Sequence, residues 1–243
     1  METASKTRVN LIIGSGEIGT SLYEVLKEKH DTYIRDINPT ETPKPDILHI
    51  CFPPSPTFVD DVRGYIEEYD PELVIVYSST PIGTCEQIGD NIVHSPVEGR
   101  HPKLAEGFET FPRWVGCKDG KALSQACSLW QTMVETIRPV DSASVTEMLK
   151  MRSTAKYGVN LVWADYEKQL TDAVGTDFNA VKVYDFDYNY LYEKTGWPQF
   201  SRYILDPPNG TIGGHCVVPN AELLDEQYPH EMLKMIIKMK KEK

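Results

Sequence analysis

Residues 9–26 read VNLIIGSGEIGTSLYEVL, and TYIRDINP follows at 32–39. The apolar run Val9 to Ile13 has the character of a buried strand, and it ends in glycines at positions 14, 16 and 19. An apolar helical period (Ile18, Leu22, Val25, Leu26) begins inside those glycines. Gly14 permits a tight turn, Gly16 lets backbone approach a pyrophosphate, and Gly19 lets helix and strand pack closely. Glu17 and Ile18 open the helix, whose free N–H groups meet the phosphate charge. Asp36 lies 22 residues past Gly14, after the second strand-like run Thr32 to Ile34. Its carboxylate can accept from a ribose 2′-hydroxyl and would repel a 2′-phosphate, so NAD is favoured over NADP. The adjacent Arg35 is a small argument the other way.

Outward from this unit, strand and helix signals alternate over roughly the first 140 residues. Strands are expected at Asp46 to Cys51 (DILHIC), Leu73 to Tyr77, Ile92 to His94, Arg113 to Val115 and Ile137 to Val140. Helices are expected at Thr57 to Tyr69 and Lys121 to Glu135. A longer helical run, free of proline, covers Ser144 to Ala173, and a tract rich in tyrosine and aspartate (VYDFDYNYLYEKTGWP) follows it. The expected fold class is α/β: a Rossmann-type doubly wound parallel sheet over 1–141, then a mostly α region with a long central helix over 142–243.

A net charge of −11 argues against nucleic acid as a partner. No apolar stretch approaches the ~20 residues that cross a bilayer, and the start METASKTR has no hydrophobic signal core. Five cysteines, odd in number and without CxxC spacing, speak against a disulfide framework or a metal site. A cytoplasmic protein is the expectation.

The second unusual segment is IGGHCVVPN at 212–220. Gly213 and Gly214 free the backbone before Cys216, and Pro219 stiffens the turn after it. A cysteine in such a turn is a nucleophile where cations or N–H groups stabilise its thiolate, and otherwise a small buried hydrophobe. The glycine fingerprint with Asp36, then DILHICFPPSP, SSTPIGT, TEMLK in a long helix and IGGHC occur in that order. Together they make the chain resemble the nucleotide-sugar dehydrogenases, the UDP-glucose and UDP-N-acetylmannosamine dehydrogenase family.

The resemblance implies an NAD-dependent oxidation of a sugar's primary alcohol, of the kind that serves polysaccharide biosynthesis. A first hydride transfer gives an aldehyde, which Cys216 captures as a thiohemiacetal; a second gives a thioester, and water releases the acid. A lysine on the central helix steadies the oxyanion. Lys150 follows Glu147 as the family's lysine follows its glutamate, with Thr154 at the family's asparagine position one turn later. Lys156 and Asn160 offer the alternative register; six residues apart, the two lysines differ by roughly 240° around the helix, so both cannot face one site. The resemblance further places Cys51, Pro53 and Thr80 at the cofactor. It places Glu98 one position from a catalytic glutamate, and Arg202, Gly213, Gly214 and His215 at the substrate. It also implies a homodimer through the long central helix.

Asn220 stands where the family has an acid four residues after its cysteine, and an amide cannot take a proton. The expectation is a shortened form without the family's C-terminal nucleotide-sugar-binding domain. Two other readings stay open: a non-catalytic NAD-binding regulatory or scaffold protein, and a single-step dehydrogenase of the hydroxyacid type.

Overall fold

The computed structural model describes residues 8–37, 41–99, 102–214 and 216–240. The chain divides into two compact units, Met1–Lys150 and Met151–Lys243. The first holds strands β1 (Val9–Ile13), β2 (Asp31–Arg35), β3 (Ile47–Ile50), β4 (Leu73–Val76), β5 (Ile92–His94), β6 (Arg113–Gly116) and β7 (Ile137–Val140). They form one seven-stranded sheet in the order β2-β1-β3-β4-β5-β6-β7. The first five strands run parallel, and β6 with its parallel partner β7 runs the other way.

Successive side chains of a strand point to opposite faces, so the nearly unbroken apolar strands feed two cores. Ile12, Ile47, Ile75 and Val93 pack on one face with Leu22, Val25 and Leu26 of α1 (Glu17–Leu26) and Trp130 of α5 (Gly120–Trp130). Leu11, Ile13, Leu48, Ile50, Val74 and Val76 pack on the other with Phe58 and Val62 of α2 (Phe58–Tyr69) and Cys85 of α3 (Thr84–Ile88). Helix α4 (Leu104–Thr110) adds Leu104 and Phe108 to the first core. At α5 the Asp119 side chain accepts the Ala122 N–H at 2.7 Å and caps the helix.

The long helical run is α6 (Ala143–Val174). The boundary between the compact units falls inside it, after Lys150, whereas the sequence reading divides the chain at 141/142. The reason is polar stitching. His94 Nδ1 and the Thr146 hydroxyl lie 2.8 Å apart, and Gly83 and Cys85 donate their N–H groups to Glu147, so the first turns of α6 belong to the sheet.

In the second unit the tyrosine tract is itself a helix, α7 (Asn179–Lys194). Tyr184, Tyr188 and Tyr192 repeat every fourth residue and line one face with their rings in contact, continuing into Phe200 of the following 3-10 turn (Pro198–Phe200) and Trp197 just before it. Helices α8 (Val217–Gln227) and α9 (Glu231–Lys238) complete the unit, with Val218, Ala221, Leu233 and Ile236 buried against Ala155 of α6. Among the described residues no helix is long and apolar enough to cross a membrane.

Candidate active site

In an open parallel sheet, ligands bind beyond the carboxyl ends of the strands where the strand order reverses. Here that point lies between β1 and β3, since β2 sits on one side of β1 and β3 to β5 on the other. The turn after β1 meets the turn after β3 directly: a Cβ on Gly14 would lie 3.0 Å from backbone atoms of Cys51 and Phe52. Gly14 has φ +103°, a region glycine reaches without strain, and its N–H donates to the Arg35 carbonyl at 2.9 Å. A Cβ on Gly19 would fall 1.8 Å from the Gly14 carbonyl oxygen, so only glycine lets α1 cross β1 this closely. Gly16, at the N-cap of α1, has nothing within 4 Å of the Cβ direction. Ile18 packs against the core, which leaves its backbone as the part available to a ligand.

Asp36 closes the β2 end of this crevice. Its Oδ1 accepts the Ile37 N–H at 2.8 Å, and its Oδ2 accepts both the hydroxyl and the N–H of Ser15. The Ser15 hydroxyl, then the backbone N–H groups, hold the carboxyl below its ordinary range, so it is an exposed anion at neutral pH. Ser15, the residue between the first two glycines, is a member of the site that the glycine pattern alone does not reveal. The ambiguity over Arg35 resolves on geometry: its guanidinium is buried, pairs with Glu68 at 2.9 Å, donates to the Tyr69 hydroxyl and lies over the rings of Tyr65 and Tyr69. It is not available to a 2′-phosphate.

At the end of β3, Cys51 is buried and its thiol is pushed far up by desolvation, which suits a wall and not a nucleophile. Pro53 is exposed just beyond it. The Ser78 hydroxyl donates to the Phe52 carbonyl at 2.6 Å and ties the turn after β4 to the turn after β3. Thr80 is 1% exposed, and its hydroxyl donates to Glu147 at 3.2 Å.

Lys150 is half-buried on α6, and its ammonium donates to the Val97 carbonyl, in the loop that carries Glu98. That loop is held from two sides. A Cβ on Gly107 of α4 would sit 2.2 Å from the Glu98 carbonyl oxygen, so glycine is required for the contact. Arg113, 2% exposed, donates to the Pro96 carbonyl at 2.9 Å while its guanidinium lies 4.4 Å from the Trp130 ring centre and 4.7 Å from that of Phe108. Burial lowers this guanidinium to about 10. Lys150 and the Glu98 loop are thus brought together.

In the second unit Cys216 is half-buried at the N-cap of α8. Asn220, one turn on, is buried and its amide reaches the Thr154 hydroxyl of α6 at 3.4 Å. Gly158 of α6 makes room for Val217, the residue after Cys216: a Cβ there would lie 2.9 Å from the Val217 side chain. Asn220 thus links Thr154 to the turn of Cys216, whose carbonyl accepts the Asn220 N–H at 3.1 Å. The alternative pair behaves differently, since Lys156 is exposed and Asn160 returns its amide to the Lys156 carbonyl at 2.8 Å. Gly213 and Gly214 are exposed ahead of Cys216, and His215 lies outside the described residues.

Arg202 is committed to α7. It pairs with Asp185 at 2.9 Å, its guanidinium carbon lies 3.6 Å from the Tyr188 ring centre, and Asn189 brackets its backbone with two hydrogen bonds. The stacked tyrosines thus pack against their own downstream segment.

No protein-family model and no curated protein matches the sequence. Solved structures do match in fold. The UDP-D-ManNAc dehydrogenase of Pyrococcus horikoshii superposes with a TM-score of 0.76 at 17% identity, over 95% of this chain and 68% of its own. The UDP-glucose dehydrogenase of Pyrobaculum islandicum gives 0.74 at 15%, over 98% and 69%. The 3-hydroxyisobutyrate dehydrogenase of Mycobacterium tuberculosis gives 0.69 at 13%, over 95% and 91%. The chain has the fold these dehydrogenases share, and it spans about two thirds of the length of the two nucleotide-sugar enzymes.

Proposed function

We propose that the protein is an NAD-dependent oxidoreductase that oxidises the primary alcohol of a sugar or nucleotide sugar. The observation that carries this reading is the β1/β3 crevice: a glycine cradle with open space at Gly16 and an anionic acceptor, Asp36, at the β2 end. The residues fit a dinucleotide, with Gly14 to Gly19 at the pyrophosphate, Asp36 at the adenosine ribose, and the Cys51–Pro53 and Thr80 turns beyond. Bound there, NAD supplies the hydride acceptor for the oxidation. Lys150 stabilises the alkoxide oxygen left when the substrate hydroxyl gives its proton to water, and Glu98 lies in the loop that receives the lysine ammonium. The Cys216 thiolate adds to the aldehyde carbon, and Thr154 and Asn220 orient the turn that holds it. Gly213, Gly214 and His215 are assigned to the substrate side, and Arg202 joins them once its guanidinium leaves Asp185 and Tyr188 for the substrate.

On this reading the enzyme is a cytoplasmic homodimer. Trp163, Tyr166, Leu170 and Val174 give α6 an exposed apolar face suited to a second copy. Sedimentation at working concentration tests this, and a monomer contradicts it. The function is tested by mixing candidate nucleotide sugars with NAD and following the absorbance of the reduced cofactor. No signal from a folded, NAD-binding protein with any candidate overturns the reading.

A single-step oxidation of a smaller hydroxy acid is the second reading, favoured by the match to 91% of the hydroxyisobutyrate dehydrogenase chain. One NADH per substrate, unchanged in Cys216→Ala, supports it; two supports the cysteine route.

A further inference from the structure

Glu147 is fully buried, yet no cation is the largest influence on it. Its Oε1 accepts the Cys85 N–H at 2.9 Å and the Thr80 hydroxyl at 3.2 Å, its Oε2 accepts the Gly83 N–H at 2.6 Å, and the Cys85 thiol bonds to the same carboxyl. Both oxygens are thus met by donors, a pattern that needs a carboxylate. Glutamine would turn an NH2 group toward one set of N–H donors and leave a buried donor unmatched. Burying a carboxyl is expensive, and burial does push this one above its ordinary range. An apolar residue would avoid that cost but strand the Gly83, Cys85 and Thr80 donors, so the acid is what the turn it grips requires.

That turn, residues 78–85, lies beyond β4. The glycine turn and Asp36 hold the β1 and β2 ends of the crevice, so a dinucleotide seated there extends its other half over β3 and β4. The β3 end is Phe52, whose carbonyl takes the Ser78 hydroxyl, and the β4 end is the turn Glu147 grips. One helical turn after Glu147 stands Lys150 on the same helix.

We propose that Glu147 is a positioning residue: its carboxylate locks the 78–85 turn to the helix that carries Lys150, and so shapes the part of the crevice that receives the nicotinamide half of the cofactor. The proposal rests on the cofactor reading above, and the two fail differently. NADH and ADP-ribose, which lacks the nicotinamide, are titrated into wild type, Glu147→Gln and Thr80→Val. The expected result is NADH binding about tenfold or more weaker in Glu147→Gln and weakened to a lesser degree in Thr80→Val, with ADP-ribose within twofold of wild type in both. Equal loss of both ligands means a general stabilising role and overturns the proposal, as does unchanged NADH binding. Wild type that binds neither ligand overturns the cofactor reading and this proposal with it.

A measurement on wild type alone guards against a variant that does not fold. Cys85 is fully buried and bonded to Glu147, so its alkylation reports opening of the turn. NADH is expected to slow it at least severalfold beyond ADP-ribose at saturation; equal protection by the two overturns the proposal.

Discussion

Ser15 donates both its hydroxyl and its backbone N–H to one oxygen of Asp36. The bond folds the glycine turn onto the end of β2 and aims the carboxylate at the crevice between them. A ribose hydroxyl entering this crevice takes over a lone pair that the serine now occupies. Asp36→Ala removes a charge-assisted acceptor, of the class worth about 1.5–3 kcal/mol. The expected outcome is an NADH dissociation constant raised about tenfold or more, read by fluorescence titration. NADPH binding is not gained in exchange, because Arg35 stays paired with Glu68 and covered by Tyr65 and Tyr69.

Gly16 and Gly19 separate a ligand requirement from a folding requirement. A methyl group at Gly16 meets nothing within 4 Å, whereas at Gly19 it lands 1.8 Å from a backbone carbonyl that cannot rotate away. Gly16→Ala is expected to leave urea stability within about 0.5 kcal/mol of wild type while NADH binding falls sharply. Gly19→Ala is expected to lose about 1–3 kcal/mol or more of stability, with binding lost alongside it. Paired denaturation and titration curves check both.

The legibility of the chain differs between its parts for physical reasons. The β1–α1–β2 unit is readable because a strand's apolar run and a helix's 3.6 period meet at glycines, and the structure has those elements at Val9–Ile13, Glu17–Leu26 and Asp31–Arg35. Helix α7 is harder: Val183, Phe186, Tyr190 and Leu191 are exposed while Asp185 is buried, so hydrophobicity does not mark its inward face. Glu147 is visible in sequence only as a landmark before Lys150, since its donors lie 62 to 67 residues away. Gly107 and Gly158 escape notice likewise, because close approach by another element leaves no local pattern.

Two histidines tie stability to pH. The His49 ring bridges Asn10 at 2.9 Å and Tyr77 at 3.1 Å inside the sheet, and burial, aided by His30, lowers it to about 3. Burial likewise lowers His94 to about 4. Both are neutral when folded, and the unfolded chain, with ordinary values near 6.5, binds more protons as pH falls. The stability they contribute is therefore full above pH 7, falls as pH drops below about 6.5, and is exhausted near their folded values. By pH 5 the loss is on the order of 2 kcal/mol for each. Urea midpoints across this range are expected to fall accordingly.

The five cysteines are expected to separate by reactivity. Burial pushes the thiols of Cys51, Cys85, Cys117 and Cys127 upward, which starves them of thiolate. Cys216 is half-buried at a helix N-cap. Peptide mass spectrometry after brief iodoacetamide treatment of the native protein is expected to find Cys216 alkylated first.

Asn220 bears on how the proposed reaction ends. Releasing a thioester from Cys216 requires water to lose a proton as it attacks the acyl carbon, and the amide at position 220 cannot accept one. On the cysteine route the acyl group is therefore expected to persist. NADH appears in a burst of about two per chain and then slows, and intact-mass spectrometry finds the acid bound to Cys216. Asn220→Asp places a carboxylate at this spot without enlarging the side chain. The Thr154 hydroxyl, which now accepts from the amide at 3.4 Å, can rotate to donate to the new oxygen, so the cluster survives the exchange. The variant is expected to convert the burst into steady NADH production and to lose the adduct. A burst and adduct identical to wild type would place the proton acceptor elsewhere, and turnover without any adduct in either protein would favour the single-step reaction.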